Sequence, residues 1–175
     1  KVIRIKNWPN KEFSPDQFKQ TNGVGIKTGK GLIAIDIDVY NPKIAAVITQ
    51  AAFQDLGPTL ARVGQAPKIA LLYRSTAITS KITLPVQPTG DAPAKKVEAI
   101  EVLANSQQLV AAAIHPDTRR PYSWDGTTPW SPLTGHIKNL PFIDDATWQK
   151  FHSSISHLLV QESFMQHAAV KQSGT

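Results

Sequence analysis

The chain has 175 residues and no cysteine, with 19 Lys and Arg against 13 Asp and Glu, a formal charge of +6 and a pI near 9.6. This length suits one domain with a real core, and the missing cysteine excludes disulfides and thiolate metal sites. No apolar run reaches membrane-spanning length and no signal peptide is visible, so no membrane partner is expected. The basic balance suits contact with nucleic acid. Its cations are scattered along the chain rather than gathered in a tail, as in a broad positive surface around a small acidic centre. The first residue is Lys1, so a start upstream of it is expected.

In chain order, residues 1–22 read as an irregular segment with a short helix near Ser14 to Lys19, Ser14 at the N-cap and Pro15 at the first helical position. "NGVGIKTGKG" follows, with four glycines in ten residues. Leu32 to Val39 reads as a strand with Ile33, Ile35, Ile37 and Val39 on one face and Asp36 and Asp38 on the other, beside Leu32 and Ala34. Asn41-Pro42 opens a helix that runs to about Leu56, where Gly57-Pro58 ends it. "TLARVG" and "KIALLYRS" read as strands, and "SKITLPVQ" as an edge strand broken by Pro85. Residues 87–95 read as loop. "VEAIEVLA" and "QLVAAAIH" read as a hairpin across "NSQQ", followed by a turn-rich stretch. Asp144-Asp145 cap a last helix that runs to about Val170. The expected fold is α+β, a mainly antiparallel sheet with packed helices. The expected division is a catalytic domain over 1–142 and, over 143–175, a helical extension of it or a linker to a further domain.

Three features carry chemistry. Asp36 and Asp38 lie roughly 7 Å apart on one strand face, where carboxylates repel unless a cation or a raised pKa compensates. Glu101 stands in another apolar strand, where an unpaired carboxylate is costly; Glu98 competes with it but faces the opposite side. His115 begins "HPD" at a strand end. The three carboxylates suit one or two Mg²⁺ or Mn²⁺ ions, which prefer oxygen ligands. Such ions serve both nucleotidyl transfer and nuclease chemistry. The glycine-rich run is not a Walker A motif: it lacks the Gly-Lys-Ser/Thr ending and leads into a strand. It is either a tight turn or a phosphate-facing loop that offers N–H groups with Lys27 or Lys30.

"GVGIKTGKGLIAIDIDV", "RVGQAPKIALLYR" and "IEVLANSQQLVAAAIHPDTRRPYSW" together resemble the bifunctional primase–polymerase domain of the archaeo-eukaryotic primase superfamily, over about residues 22–130. The resemblance implies an RRM-like core and a replication role in a phage or plasmid, in the cytoplasm of a bacterial or archaeal host, often with a fused or associated helicase. It implies a DNA template, dNTP or NTP substrates, and Asp36, Asp38 and Glu101 as the catalytic metal ligands. The family's middle motif commonly carries a histidine near the triphosphate. Here "APKIALLYR" has none, which leaves Lys68, Arg74 and the nearby Arg62 to supply positive charge, with Lys30 and His115 as further nucleotide contacts. Ala111-Ala112-Ala113 replaces the family's usual Pro-Pro-Ser. A single-stranded DNA-binding or replication-initiator module and a metal-dependent nuclease are the competing readings.

Overall fold

The computed structural model describes residues 6–14, 23–87, 91–93, 96–125 and 137–172, with side chains of the last helix described as far as Leu159. The helix expected after Ser14 lies outside the described residues. Eight strands are present among those described: β1 (Gly23–Lys27), β2 (Leu32–Asp38), β3 (Ala61–Val63), β4 (Ile69–Arg74), β5 (Ile82–Pro85), β6 (Ala99–Leu103), β7 (Gln108–Ala113) and β8 (Ser123–Asp125). The helices are α1 (Pro42–Leu56) and α2 (Asp145–Gln172). None of the helices is long and apolar enough to cross a membrane.

Six strands form one sheet in the order β5-β6-β2-β4-β3-β8, with antiparallel ladders throughout. The α+β expectation holds, with β5 on the edge as its Pro85 requires. β2 is central because alternation fills both of its faces. Ile33, Ile35 and Ile37 are 1% exposed or less and join Leu71, Tyr73, Ile100 and Val102 in the larger core. α1 and α2 cover this face through Ile44, Ile48 and Ala52 on α1 and Trp148, Phe151 and Ile155 on α2. Both helices start where the sequence places them. Asn41 Oδ1 accepts from the Lys43 and Ile44 N–H groups at 3.0 Å, and the Asp144 carboxylate accepts from the Thr147 N–H at 2.8 Å.

The expected β6–β7 hairpin does not form. Both edges of β6 are taken, by β2 and by β5, so β7 instead pairs with β1 in a separate two-stranded sheet. β1 takes the first half of the glycine-rich run read above as a turn or loop, while the second half, through Lys30 and Gly31, is the tight turn into β2. Glycine lets its backbone lie close on β7: a Cβ on Gly23 would sit 2.7 Å from the Ala113 Cβ. This small sheet covers only part of the second face of the large one. Leu109 and Ile26 pack there on Leu32, Ala34, Leu72 and Leu103. Trp124 Nε1 donates to the Ala111 carbonyl at 2.9 Å and ties β8 to β7. The rest of that face carries the charged residues.

Lys150 Nζ is 2.8 Å from Asp55 Oδ1 and links α2 to α1. The hydrogen bond from Lys150, against an opposing effect of burial, holds the Asp55 carboxyl below the usual carboxylate range. A lowered folded-state pKa stabilises above the unfolded value, near 3.9, and the contribution is lost as pH falls through the lowered one. Asp55→Asn should therefore cost about 0.5–1 kcal/mol at pH 6, the ordinary range for a solvent-screened pair. The gap from the parent should close towards pH 2.5 in urea-unfolding midpoints. A gap of constant size at every pH would remove the ion-pair account.

Candidate active site

The ladder registers place one row of side chains across all six strands. Thr83 lies opposite Glu101, Glu101 opposite Asp36, Asp36 opposite Ala70, Ala70 opposite Arg62, and Arg62 opposite Trp124. Opposite residues share a face, so Asp36, Glu101 and Arg62 all emerge on the side that α1 and α2 leave uncovered. The next row holds Asp38. The β2–β4 register, continued one step past Ile37–Ile69, sets Lys68 against it.

Each carboxylate has its own cation. Arg62 Nη2 lies 3.6 Å from Asp36 Oδ1, reaching over Ala70, whose methyl group leaves the way clear. Lys68 Nζ lies 3.1 Å from Asp38 Oδ1, and Lys81 Nζ lies 2.6 Å from Glu101 Oε1. Arg62 is 6% exposed. Burial pulls its pKa below the ordinary arginine value, opposed by the charge of Asp36 and by Tyr122. Burial also disfavours the charged form of Lys68, but the hydrogen bond to Tyr40 and the charge of Asp38 outweigh it, and its pKa is raised.

Asp36, Asp38, Arg62 and Lys68 line a cleft of about 140 Å³ whose wall is completed by Gly64, Gln65, Ile69, His115 and Tyr122. The Arg62 guanidinium stands 4.8 Å from the Tyr122 ring centroid, and the His115 ring meets Tyr122 edge-on at 5.3 Å. Burial raises the Tyr122 pKa, with Arg62 opposing. His115 Nδ1 accepts from the Asp117 and Thr118 N–H groups at 3.2 and 3.3 Å. In the neutral ring this leaves the proton on Nε2. Three buried polar atoms lack a hydrogen-bond partner among the described residues: Asp38 Oδ1, Arg62 Nε and Gln65 Oε1. All three residues belong to this cleft. At Asp38 Oδ1 the compensation is the ion pair with Lys68 at 3.1 Å.

Asp36, Asp38, Arg62, Lys68 and His115 thus meet in one place. Glu101 shares their face, next to Asp36, with its carboxylate drawn to Lys81. Among the described residues no three acids or histidines stand grouped as a ready metal-ligand set. The donor chemistry still fits a hard divalent ion: three carboxylates on neighbouring positions of one face, one with a buried oxygen that no hydrogen bond occupies.

Two expected nucleotide contacts lie elsewhere. Arg74 pairs with Leu32, at the end of β2 away from Asp38. This is six residues, or about 20 Å, along the strand. Its Nε donates to the Leu140 carbonyl at 2.8 Å and its guanidinium lies 5.7 Å from the Phe142 ring centroid, so it fastens residues 140–143 to the sheet. Lys30 sits at that same end, in the turn before β2, at φ 52°. Arg74 enters the expectation because the middle motif lacks its histidine, and sequence alone does not show which end of β4 the cleft occupies. Tyr40, Gly64, Gln65 and Tyr122 escaped the sequence reading. Gly64 and Gln65 stand in the quoted "RVGQAPKIALLYR" and Tyr122 in the quoted "PYSW", whereas Tyr40 lies just past the quoted "IAIDIDV".

The fold and the cleft define an α+β domain with an acidic centre on the open face of an antiparallel sheet. A family model described as bifunctional DNA primase/polymerase, N-terminal, matches residues 2–141. The chain belongs to that family, whose activity and substrates involve DNA and nucleotides. No curated protein and no solved structure matches the chain.

Gly64 is where the two rings press on the β3 exit. A Cβ there would stand 2.2 Å from Tyr122 Cε1 and 2.9 Å from His115 Cδ2. Gly64→Ala should cost about 1–3 kcal/mol by overpacking, and adding Tyr122→Ala should return part of that loss. Urea midpoints of the single and double variants measure this. A Gly64→Ala variant as stable as the parent would mean the rings are not held here.

Proposed function

We propose that the cleft carries out metal-dependent nucleotidyl transfer, initiating or extending a DNA-templated strand from dNTPs or NTPs during replication of a mobile element. The observation that carries this reading is the concentration of buried, unpartnered polar atoms in one cleft that also holds paired acids and cations. Buried polar groups without partners call for an explanation, and a ligand with both charged oxygens and a metal counter-ion satisfies donors and acceptors together. Asp36, Asp38 and Glu101 would hold Mg²⁺ or Mn²⁺, which when bound supplies Lewis-acid charge for attack on a phosphate and departure of pyrophosphate.

The chain's own residues do the rest. Arg62 and Lys68 turn from the carboxylates to the triphosphate, Arg62 with a planar fork and Lys68 as a point charge. Two backbone N–H groups engage His115 Nδ1 and so fix the tautomer with the proton on Nε2, the form that donates to a phosphate oxygen when a nucleotide enters. The Tyr122 ring holds Arg62 in place and shields it from water. The surrounding positive charge, +6 over the chain, draws template DNA to the cleft. Ile143, Trp148, Phe151 and Ile155 belong to the main core, which supports reading the start of the 143–175 segment as an extension of the catalytic domain rather than a linker, and a fused or associated helicase is the further partner of this reading.

Asp38→Ala should reduce incorporation of labelled nucleotide on primed and unprimed templates with Mn²⁺ on the order of a hundredfold to a thousandfold, with the fold intact. Asp36→Ala should do the same and also cost about 1–3 kcal/mol, because it leaves the buried Arg62 without its carboxylate. Full activity in either variant would end the catalytic reading. Template cleavage by the parent would favour a nuclease, and binding without either reaction a single-stranded DNA holder. DNA affinity should fall with salt, with a slope of about −0.7 per phosphate contact on a single strand; a flat response would separate the net charge from nucleic acid.

A further inference from the structure

Lys68 has two seats. Its Nζ lies 3.1 Å from Asp38 Oδ1, and it also donates to Tyr40 Oη at 3.1 Å while standing 4.4 Å from the Tyr40 ring centroid. Only the first contact uses a carboxylate. Tyr40 is itself fixed from both sides of the chain. Its N–H donates to Glu98 Oε1 at 2.7 Å, and Glu98 is 2% exposed. The next residue, Asn41, caps α1. Tyr40 thus stands rigidly at the exit of β2, two residues after Asp38, with its ring beneath a lysine whose side chain is otherwise long and rich in rotamers.

A lysine held by Asp38 alone would lose its place whenever a divalent cation took that carboxylate. The hydroxyl and ring face of Tyr40 are neutral, so their hold survives the exchange. Cation–ring attraction strengthens where water is excluded, and Lys68 is partly buried.

We propose that Tyr40 is a positioning residue that keeps Lys68 at the mouth of the cleft when Asp38 is taken, and so aims it at the phosphate groups of the nucleotide. This rests on the nucleotidyl-transfer reading for the ligand, and on the geometry above for the residue. Glu98, which faces away from the metal ligands, gains a role in the same device by holding the Tyr40 backbone.

The test is a double-mutant cycle on the full chain, read by calorimetric binding with Mn²⁺ present. The probes are inorganic tripolyphosphate and a non-hydrolysable deoxynucleoside triphosphate. Tyr40→Phe keeps the ring and should weaken both probes about three- to tenfold, the range of one hydrogen bond to a charged or neutral group. Tyr40→Ala should weaken both as far as Lys68→Met does. In the Lys68→Met background, Tyr40→Ala should add nothing beyond about twofold. Urea midpoints confirm that each variant is folded.

Effects of the two substitutions that simply add would overturn the proposal. So would a Tyr40→Ala variant that weakens the nucleotide but not tripolyphosphate, since Tyr40 would then contact the base or sugar. Failure of the parent to bind either probe would remove both the proposal and the function it rests on. If the parent binds both probes but incorporates no nucleotide, the catalytic reading fails, and the cycle still decides the role of Tyr40.

Discussion

Two carboxylates that emerge two residues apart from a central strand repel each other, and neighbouring positions on the sheet answer that repulsion. Their spacing along the strand is roughly 7 Å, while each has a cation at 3.1–3.6 Å. Coulomb energy falls as the inverse of distance, so at equal screening each attraction is about twice the mutual repulsion. The compensation needs cations on the strand side opposite β6, because β6 contributes a third acid, Glu101, directly beside Asp36. It also needs a small residue between Asp36 and Arg62, which Ala70 supplies. Glu101 finds its own cation from the other direction, in Lys81 before the edge strand β5.

The same strand explains why the acids can be there at all. One face of β2 is isoleucine throughout and is sealed by two helices. The other face changes character midway, from Leu32 and Ala34 to Asp36 and Asp38. The small β1–β7 sheet is apolar on its inner side and packs only on the apolar half. Where it stops, the cleft begins, and His115 marks the spot because only Ile114 separates it from the end of β7. Burial on one face and half of the other secures the strand, and the exposed remainder is free to carry charge that stability alone would not favour.

Much of this was legible because it is local. Period-two alternation identified β2, apolar runs identified β4 and β6, and caps at Asn41 and Asp144 located both helices. Parity set Asp36 with Asp38, and the buried-acid argument singled out Glu101. What was not legible depends on pairing between distant segments. "NSQQ" looked like a hairpin turn because nothing local reveals that β2 and β5 already occupy both edges of β6. β1 looked like a loop because glycine has little strand propensity, and its reason for being glycine is the close approach of β7. Arg74 looked like a ligand contact because the stretch that carries the family's histidine offers only Lys68 and Arg74 as cations, and which end of β4 meets the cleft depends on pairing with distant strands. Tyr40 left no trace, since its meaning lies in a lysine 28 residues away.

The charge count of the cleft bears on how the proposed reaction would begin. Asp36 and Asp38 are matched by Arg62 and Lys68, and Glu101 by Lys81, so the ligand-free site is close to neutral. A neutral site gives a free divalent cation little reason to enter alone, because Arg62 and Lys68 already hold the carboxylates. It gives a free triphosphate equally little, because the carboxylates hold the cations. A metal–triphosphate complex meets neither objection: its cation takes the carboxylates as its phosphates take Arg62 and Lys68, and every pair is exchanged for another of the same sign. Under the proposed function this favours metal and nucleotide arriving together. The buried Arg62, backed by the Tyr122 ring, has the most to lose from any intermediate in which only half of that exchange has taken place.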